Sequence, residues 1–200
     1  MILYLLAQFV LDCYNKITKS CEKQQRSAAG VPLAKKILWE VVRMKKKKVL
    51  FISSTGGHLE ELTQLKSMFD KYDYYIVTEK TKSNLSLKTK YPNRVSYLIY
   101  GSYTTLSKKI VYPFKLLLNC FKSLFIYIKV RPKYIVSTGA HTAGPMCLIG
   151  KIFGSKIIFI ETFANSKTKS KTGSIVYKFA DLFIVQWKEM LELYPNAVYG

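Results

Sequence analysis

The chain has only two histidines, and each closes a glycine-bearing turn: Ser53-Ser54-Thr55-Gly56-Gly57-His58 and Ser137-Thr138-Gly139-Ala140-His141-Thr142. Imidazole titrates near neutrality, so either ring can take a proton from a sugar hydroxyl or donate a hydrogen bond to a phosphate. Glycine lets an anion approach backbone N–H groups at the start of a following helix. Pro145, just after Gly144, suits the first turn of such a helix. Glu60 and Glu61 fall in the first turn of the other, where they favour the helix dipole but compete with a bound phosphate. Neither turn is a G-x-G-x-x-G fingerprint, and no G-x-x-x-x-G-K-[ST] occurs. Taken alone, each turn also reads as a tight strand-to-helix connection whose glycines serve the backbone. Glu161, at the end of "KIIFIET", comes from a neighbouring strand. It is expected to open onto the same crevice, with an ordinary surface carboxylate as the alternative. No D-x-D run suggests a metal-held nucleotide sugar, and the four cysteines show no C-x-x-C pair. A zinc site is therefore not expected, and reduced thiols in a cytoplasmic compartment are.

Histidines so far apart in the chain meet only if the fold brings them together. From Lys48 onward, "VLFIS", "YYIVTE", "RVSYLIY", "KYIVST", "KIIFIET" and "LFIVQ" read as strands. Several are apolar throughout, as a parallel sheet covered on both faces requires. Helical segments alternate with them: "LEELTQLKSMF", a long segment after Gly101, "TAGPMCLIGKIFG", "GSIVYKFA" and "WKEMLELY". Such alternation predicts an α/β fold, a Rossmann-like doubly wound parallel sheet. In that fold strands one and four are neighbours where the winding reverses, and their C-terminal loops form the binding crevice. Strand one ends in the His58 turn and strand four in the His141 turn, so both imidazoles are expected at one site.

Thirty-two Lys/Arg against twelve Asp/Glu give a net charge of +20. A field of that size calls for an anionic partner. An apolar content of 49% excludes a disordered chain, and 200 residues suit one domain. Lysines 108, 115, 122 and 129 are spaced seven apart along "LSKKIVYPFKLLLNCFKSLFIYIKVRPK". On a helix they form one stripe, drifting about 20° per heptad. The remaining positions are largely apolar and exceed what one sheet-facing side can hide. Lys108, Lys115, Lys122 and Lys129, with Phe114, Leu118, Phe121 and Phe125, thus form a candidate membrane-surface helix. A core helix with solvated lysines and a docking face for a partner protein are the other readings. Pro113 either begins that helix or kinks it. Residues 1–43 open with "MILYLLAQFVL", shorter than the roughly 20 residues that span a bilayer. They read as an amphipathic membrane-surface anchor or as an extension outside the core, which would then occupy 44–200. Met44 opens "MKKKKVLFISS" like a natural start.

The motifs "FISSTGGHLEEL", "YIVSTGAHTAGP" and "KIIFIETFANSKTKSKTG", in this order and spacing, resemble the N-terminal half of MurG-type glycosyltransferases of the GT-B fold. They are still more similar to the stand-alone acceptor subunits of two-component GlcNAc transferases. The eukaryotic member of that family is the membrane subunit of the enzyme adding the second GlcNAc to dolichol-linked oligosaccharide. Its CpsF- and PssD-like bacterial members serve capsule and exopolysaccharide synthesis. The resemblance runs from about Lys47 to the C-terminus.

It implies a split enzyme in which this chain supplies one Rossmann-like half. The chain would hold a lipid-linked sugar acceptor at the cytoplasmic face of the membrane. A separate catalytic subunit would bind the UDP-sugar, so no cofactor is expected here. Thr55, Gly56 and Gly57 carry over as acceptor diphosphate ligands, as do Gly139, His141 and Thr142. In MurG-like chains the second turn reads Gly-Gly-Tyr rather than Gly139-Ala140-His141. His58 is the expected catalytic base and Glu161 the second candidate. The expected reaction is β-1,4-hexosyl transfer onto an undecaprenyl-diphosphate-linked sugar, with little activity from this chain alone. A self-sufficient transferase is the alternative. A nucleic-acid-binding module fits less well, because the aromatic residues lie in strands rather than between basic clusters.

Overall fold

The computed structural model describes residues 47–101 and 106–200, with the helical backbone alone for 106–112. The proposed anchor at 1–43, Met44 and the side chain of Lys108 lie outside the described residues. Seven strands form one parallel sheet: β1 (Lys48–Ser53), β2 (Asp73–Glu79), β3 (Val95–Leu98), β4 (Tyr134–Gly139), β5 (Lys156–Ile160), β6 (Leu182–Val185) and β7 (Val198–Tyr199). Their order is β3-β2-β1-β4-β5-β6-β7, so β1 and β4 pair directly at the reversal of winding. Seen in the sequence as apolar runs, the first six strands emerge as expected; β7, with two residues, is too short to show a pattern.

The apolar runs are explained by layers on both faces. Leu50 and Ile52 point to one side with Ile135, Phe159 and Phe183. Val49 and Phe51 point to the other with Val136, Ile160 and Ile184. The second face is covered by α1 (Gly57–Thr63), a 3-10 helix over Gln64–Lys71 and α2 (Leu87–Lys90), through Leu59, Leu62, Leu65, Met68, Phe69 and Leu87. "LEELTQLKSMF" is therefore not one α-helix but an α turn passing into a 3-10 helix. The first face is covered by α3 (Leu106–Val130), α4 (Ala143–Ile152), α5 (Lys171–Val176) and α6 (Met190–Leu193). Removing each fully buried large side chain from water contributes about 1.5–3 kcal/mol.

Helix α3 contains Pro113 in its interior rather than at its start. Its buried stripe is Asn119, Ser123, Ile126, Tyr127 and Val130. The Asn119 amide accepts from Ile99 N at 2.8 Å and donates to Ile99 O at 2.9 Å, pinning the helix to the chain leaving β3. A narrow, partly polar buried stripe leaves the apolar majority outside. Phe114 is 68% exposed and Phe125 73%, with Leu117, Leu118, Phe121 and Ile128 also exposed. The surface continues onto α4, where Leu148, Ile152 and Phe153 are exposed, and onto α5 at Ile175. These three helices contain no Asp or Glu. Among the described residues, no helix is long and apolar enough to cross a membrane.

Candidate functional site

The β1/β4 pairing brings the two glycine turns into contact. Ser54 N donates to Gly139 O at 2.8 Å, and Ala140 N lies 3.4 Å from Ser54 Oγ. His58, in the first turn of α1, reaches across: its Nδ1 is 2.8 Å from Thr138 O, while the Thr138 hydroxyl donates to His58 O at 2.7 Å. A carbonyl only accepts, so Nδ1 carries the proton and Nε2 is left as the ring's acceptor atom. That is the tautomer a general base at Nε2 needs.

The glycines differ in what they do. Gly56 has φ 77°, a left-handed conformation that disfavours a side chain. Gly57 has no such constraint, and a Cβ there would meet nothing within 4 Å among the described residues. Its lack of a side chain is not explained by the packing of the described residues. Gly139 has φ 91°, and a Cβ there would stand at ordinary contact distance, 3.5 Å, from the His58 ring. Thr142 is buried at the start of α4, and its hydroxyl has no hydrogen-bond partner among the described residues. Thr55 lies at the rim, its hydroxyl 3.3 Å from that of Thr81.

His141 faces a different neighbour. Its Nε2 is 3.1 Å from Gly101 O and 3.5 Å from Glu79 Oε1. Glu79, the last residue of β2, is only 1% exposed. Gly101 N donates to its Oε1 at 3.3 Å, and Thr55 N to its Oε2 at 3.4 Å. This carboxylate ties both turns to the chain entering α3, and the sequence reading missed it. Its signal was positional: it ends the strand beside β1, at the crevice edge of the sheet.

The expectation that Glu161 opens onto the crevice is corrected, as is the surface alternative. Glu161 is 2% exposed. Its Oε2 accepts from the Tyr194 hydroxyl at 2.9 Å and the Ser170 hydroxyl at 3.1 Å, and its Oε1 from Thr162 N at 3.2 Å. A Cβ on Gly173 would come within 2.1 Å of Oε2, so Gly173 makes room for the carboxylate. Burial, then the Glu161 charge, push the Tyr194 hydroxyl pKa up, keeping it a neutral donor. Glu161 thereby anchors the start of α5 and the chain after α6. Glu61 likewise turns from the anion cradle: its Oε1 accepts from the Thr162 hydroxyl at 2.9 Å and Phe163 N at 3.0 Å.

The wider field favours an anion. Between Glu79 and Glu161 the sequence has no Asp or Glu and fourteen Lys/Arg. On α3, Lys122 and Lys129 are exposed, while Lys115 Nζ donates to Tyr100 O at 3.4 Å. No cluster of three potential metal ligands occurs among the described residues. Cys147 is fully buried on the inner face of α4, its thiol pKa pushed up to about 12 by burial, which leaves it unreactive.

Residues 48–200 match the family model "Oligosaccharide biosynthesis protein Alg14 like". The chain belongs to this family. It is 25% identical over 175 residues to the mouse (Mus musculus) protein named UDP-N-acetylglucosamine transferase subunit ALG14, covering 76% of this chain and 81% of that one. The Homo sapiens protein of the same name is 27% identical over 173 residues, covering 76% and 80%. Among solved structures, MurG of Acinetobacter baumannii superposes with a TM-score of 0.55 at 17% identity, over 70% of this chain and 41% of that one. A UDP-N-acetylglucosamine 2-epimerase from Rickettsia bellii gives 0.56 at 15% identity, over 75% and 41%. The chain thus spans about two fifths of those larger proteins, and the likeness establishes a shared Rossmann-like fold.

Proposed function

We propose that this chain is the acceptor-binding and membrane-recruiting subunit of a two-chain glycosyltransferase. The observation that carries the reading is the convergence of the His58 and His141 turns, with open space over Gly57 and the His58 proton held on Nδ1. Thr55, Gly56, Gly57, Gly139 and the His141 turn surround a diphosphate, which is met by backbone N–H groups and a positive field rather than by a metal. His58 Nε2 takes the proton from the acceptor hydroxyl as that oxygen attacks the anomeric carbon of a sugar nucleotide held by the partner. The nucleoside diphosphate leaves, and the configuration inverts. Glu161 serves as a support, holding Ser170 and Tyr194 in place.

The outer layer of α3, α4 and α5 serves the same purpose at longer range. Phe114, Leu118, Phe121 and Phe125 enter the interfacial region of a bilayer at the cytoplasmic face. Lys115, Lys122 and Lys129 meet anionic headgroups, each contributing about 1 kcal/mol. Helix α3 starts after the chain leaves Gly101, so a lipid carrier whose diphosphate sits in the crevice has its tail close to the membrane layer. The finer version of the reading takes the carrier as undecaprenyl diphosphate and the product as a β-1,4-linked hexose of a bacterial capsule or exopolysaccharide. It rests on the motif resemblance, whereas the curated relatives are eukaryotic subunits.

The test is a transfer assay with the full chain, its co-purified catalytic subunit and matched polyprenyl-diphosphate sugars of different chain length. Activity should require both chains and fractionate with membranes. Equal activity from this chain alone would overturn the subunit reading in favour of a self-sufficient transferase.

A further inference from the structure

The loop after β5 carries an aromatic ring that the diphosphate site does not use. Phe163 is 46% exposed and follows the C-terminal end of β5, so it lies on the same sheet edge as His58. Its ring rests against the indole of Trp187, just past β6, with centroids 4.5 Å apart and planes inclined by 35°. Trp187 Nε1 donates to Phe163 O at 2.8 Å, and Phe163 N donates to Glu61 Oε1 at 3.0 Å. The other Glu61 oxygen is 4.0 Å from His58 Nδ1. Glu61 thus holds the Phe163 loop on the same side of the crevice as the imidazole, which itself is bonded to Thr138 O. The indole N–H and the Phe163 amide are already engaged, which leaves the exposed ring face as the feature open to a ligand. The residues that follow, Ala164 to Lys171, are small or polar, so Phe163 is not part of a greasy patch along its own loop.

We propose that Phe163, backed by Trp187, is a stacking platform for a pyranose ring, the acceptor sugar next to the diphosphate. A pyranose offers an apolar C–H face and a rim of hydroxyls. The aromatic face takes the first, and the rim is left to reach His58 Nε2. A rigid ring pair held by backbone hydrogen bonds loses little conformational freedom when it receives such a ligand. The inference rests on the reading of the β1/β4 crevice as the diphosphate site.

Two probes separate the sugar from the diphosphate: farnesyl diphosphate, and the same lipid diphosphate carrying one GlcNAc. Calorimetric titration of the full chain in detergent micelles should show the sugar-bearing probe binding more tightly. Phe163→Ala should weaken that probe about fivefold, the scale of one aromatic contact, and leave farnesyl diphosphate unchanged. Phe163→Leu, which keeps apolar volume without a ring, should behave like the alanine variant, and Phe163→Trp like the native chain. The platform is overturned if Phe163→Ala binds both probes as the native chain does. It is equally overturned if that variant only weakens co-purification of the catalytic subunit, which would make the ring pair a protein contact. Failure of the native chain to bind either probe would remove the diphosphate reading itself, and this assignment with it.

Discussion

The two glycine turns look alike in sequence and are built differently. In the His141 turn, Gly139 is required by its own backbone, which is left-handed, and the His58 ring lies at contact distance from it. In the His58 turn, Gly57 has an ordinary helical position and empty space where a side chain would be. One turn is a support, shaped so that an imidazole can lie on it. The other presents that imidazole beside room for a ligand. Similar letters at the ends of adjacent strands therefore serve unequal purposes, and substitution can tell them apart.

The largest expected effect is on the presented residue. His58→Ala should lower transfer by the two-chain complex by about 10²–10⁴-fold, the usual contribution of a positioned base, while the chain remains folded by circular dichroism. Retained activity would reduce the first turn to a scaffold. The supporting turn should respond in both stability and activity. Gly139→Ala places a side chain at positive φ, which costs about 1–2 kcal/mol, and shifts the turn on which the His58 ring lies. Thermal denaturation and transfer should fall together.

Gly57→Ala is the discriminating variant between the turns. Within a helix, alanine is favoured over glycine by about 1 kcal/mol, and here it meets no neighbour among the described residues. Stability should hold or rise, while affinity for a polyprenyl diphosphate falls about tenfold because the added methyl occupies the anion's approach. If stability and affinity both hold, the open space over Gly57 has no ligand, and the two turns are equivalent after all.

Why the sheet was legible and parts of the site were not follows from the range of the interactions. Runs such as Val49–Ile52 are apolar on both sides because layers cover both faces, a property visible in four adjacent letters. The meeting of the His58 and His141 turns followed from strand order, since a parallel doubly wound sheet joins strands one and four, but the ring partners, Thr138 O for His58 and Gly101 O for His141, did not. Glu161 was misplaced because its partners Ser170, Gly173 and Tyr194 are brought in by later elements, and no local pattern distinguishes an exposed strand-end carboxylate from a buried one. Glu79 was missed for the same reason. Its contacts to Thr55, Gly101 and His141 join three separate loops.

The smallest expected effect asks whether the contrast between the turns is independent of the membrane layer. Lys122 and Lys129 stand on the outer side of α3, away from the buried stripe at Asn119 and Ser123 that faces the sheet. Replacing either lysine by alanine removes one charge from the headgroup contact and should weaken partitioning onto vesicles containing phosphatidylserine about fivefold. The loss should shrink as salt is raised, because screening acts on exposed charges. Neither substitution should change affinity for a diphosphate in detergent, and Gly57→Ala should not change vesicle partitioning. Were Gly57→Ala to release the chain from vesicles, its effect on acceptor binding could no longer be assigned to the cradle. The first turn would then be acting through α3, by way of Thr55, the buried Glu79 and Gly101, rather than by touching the acceptor.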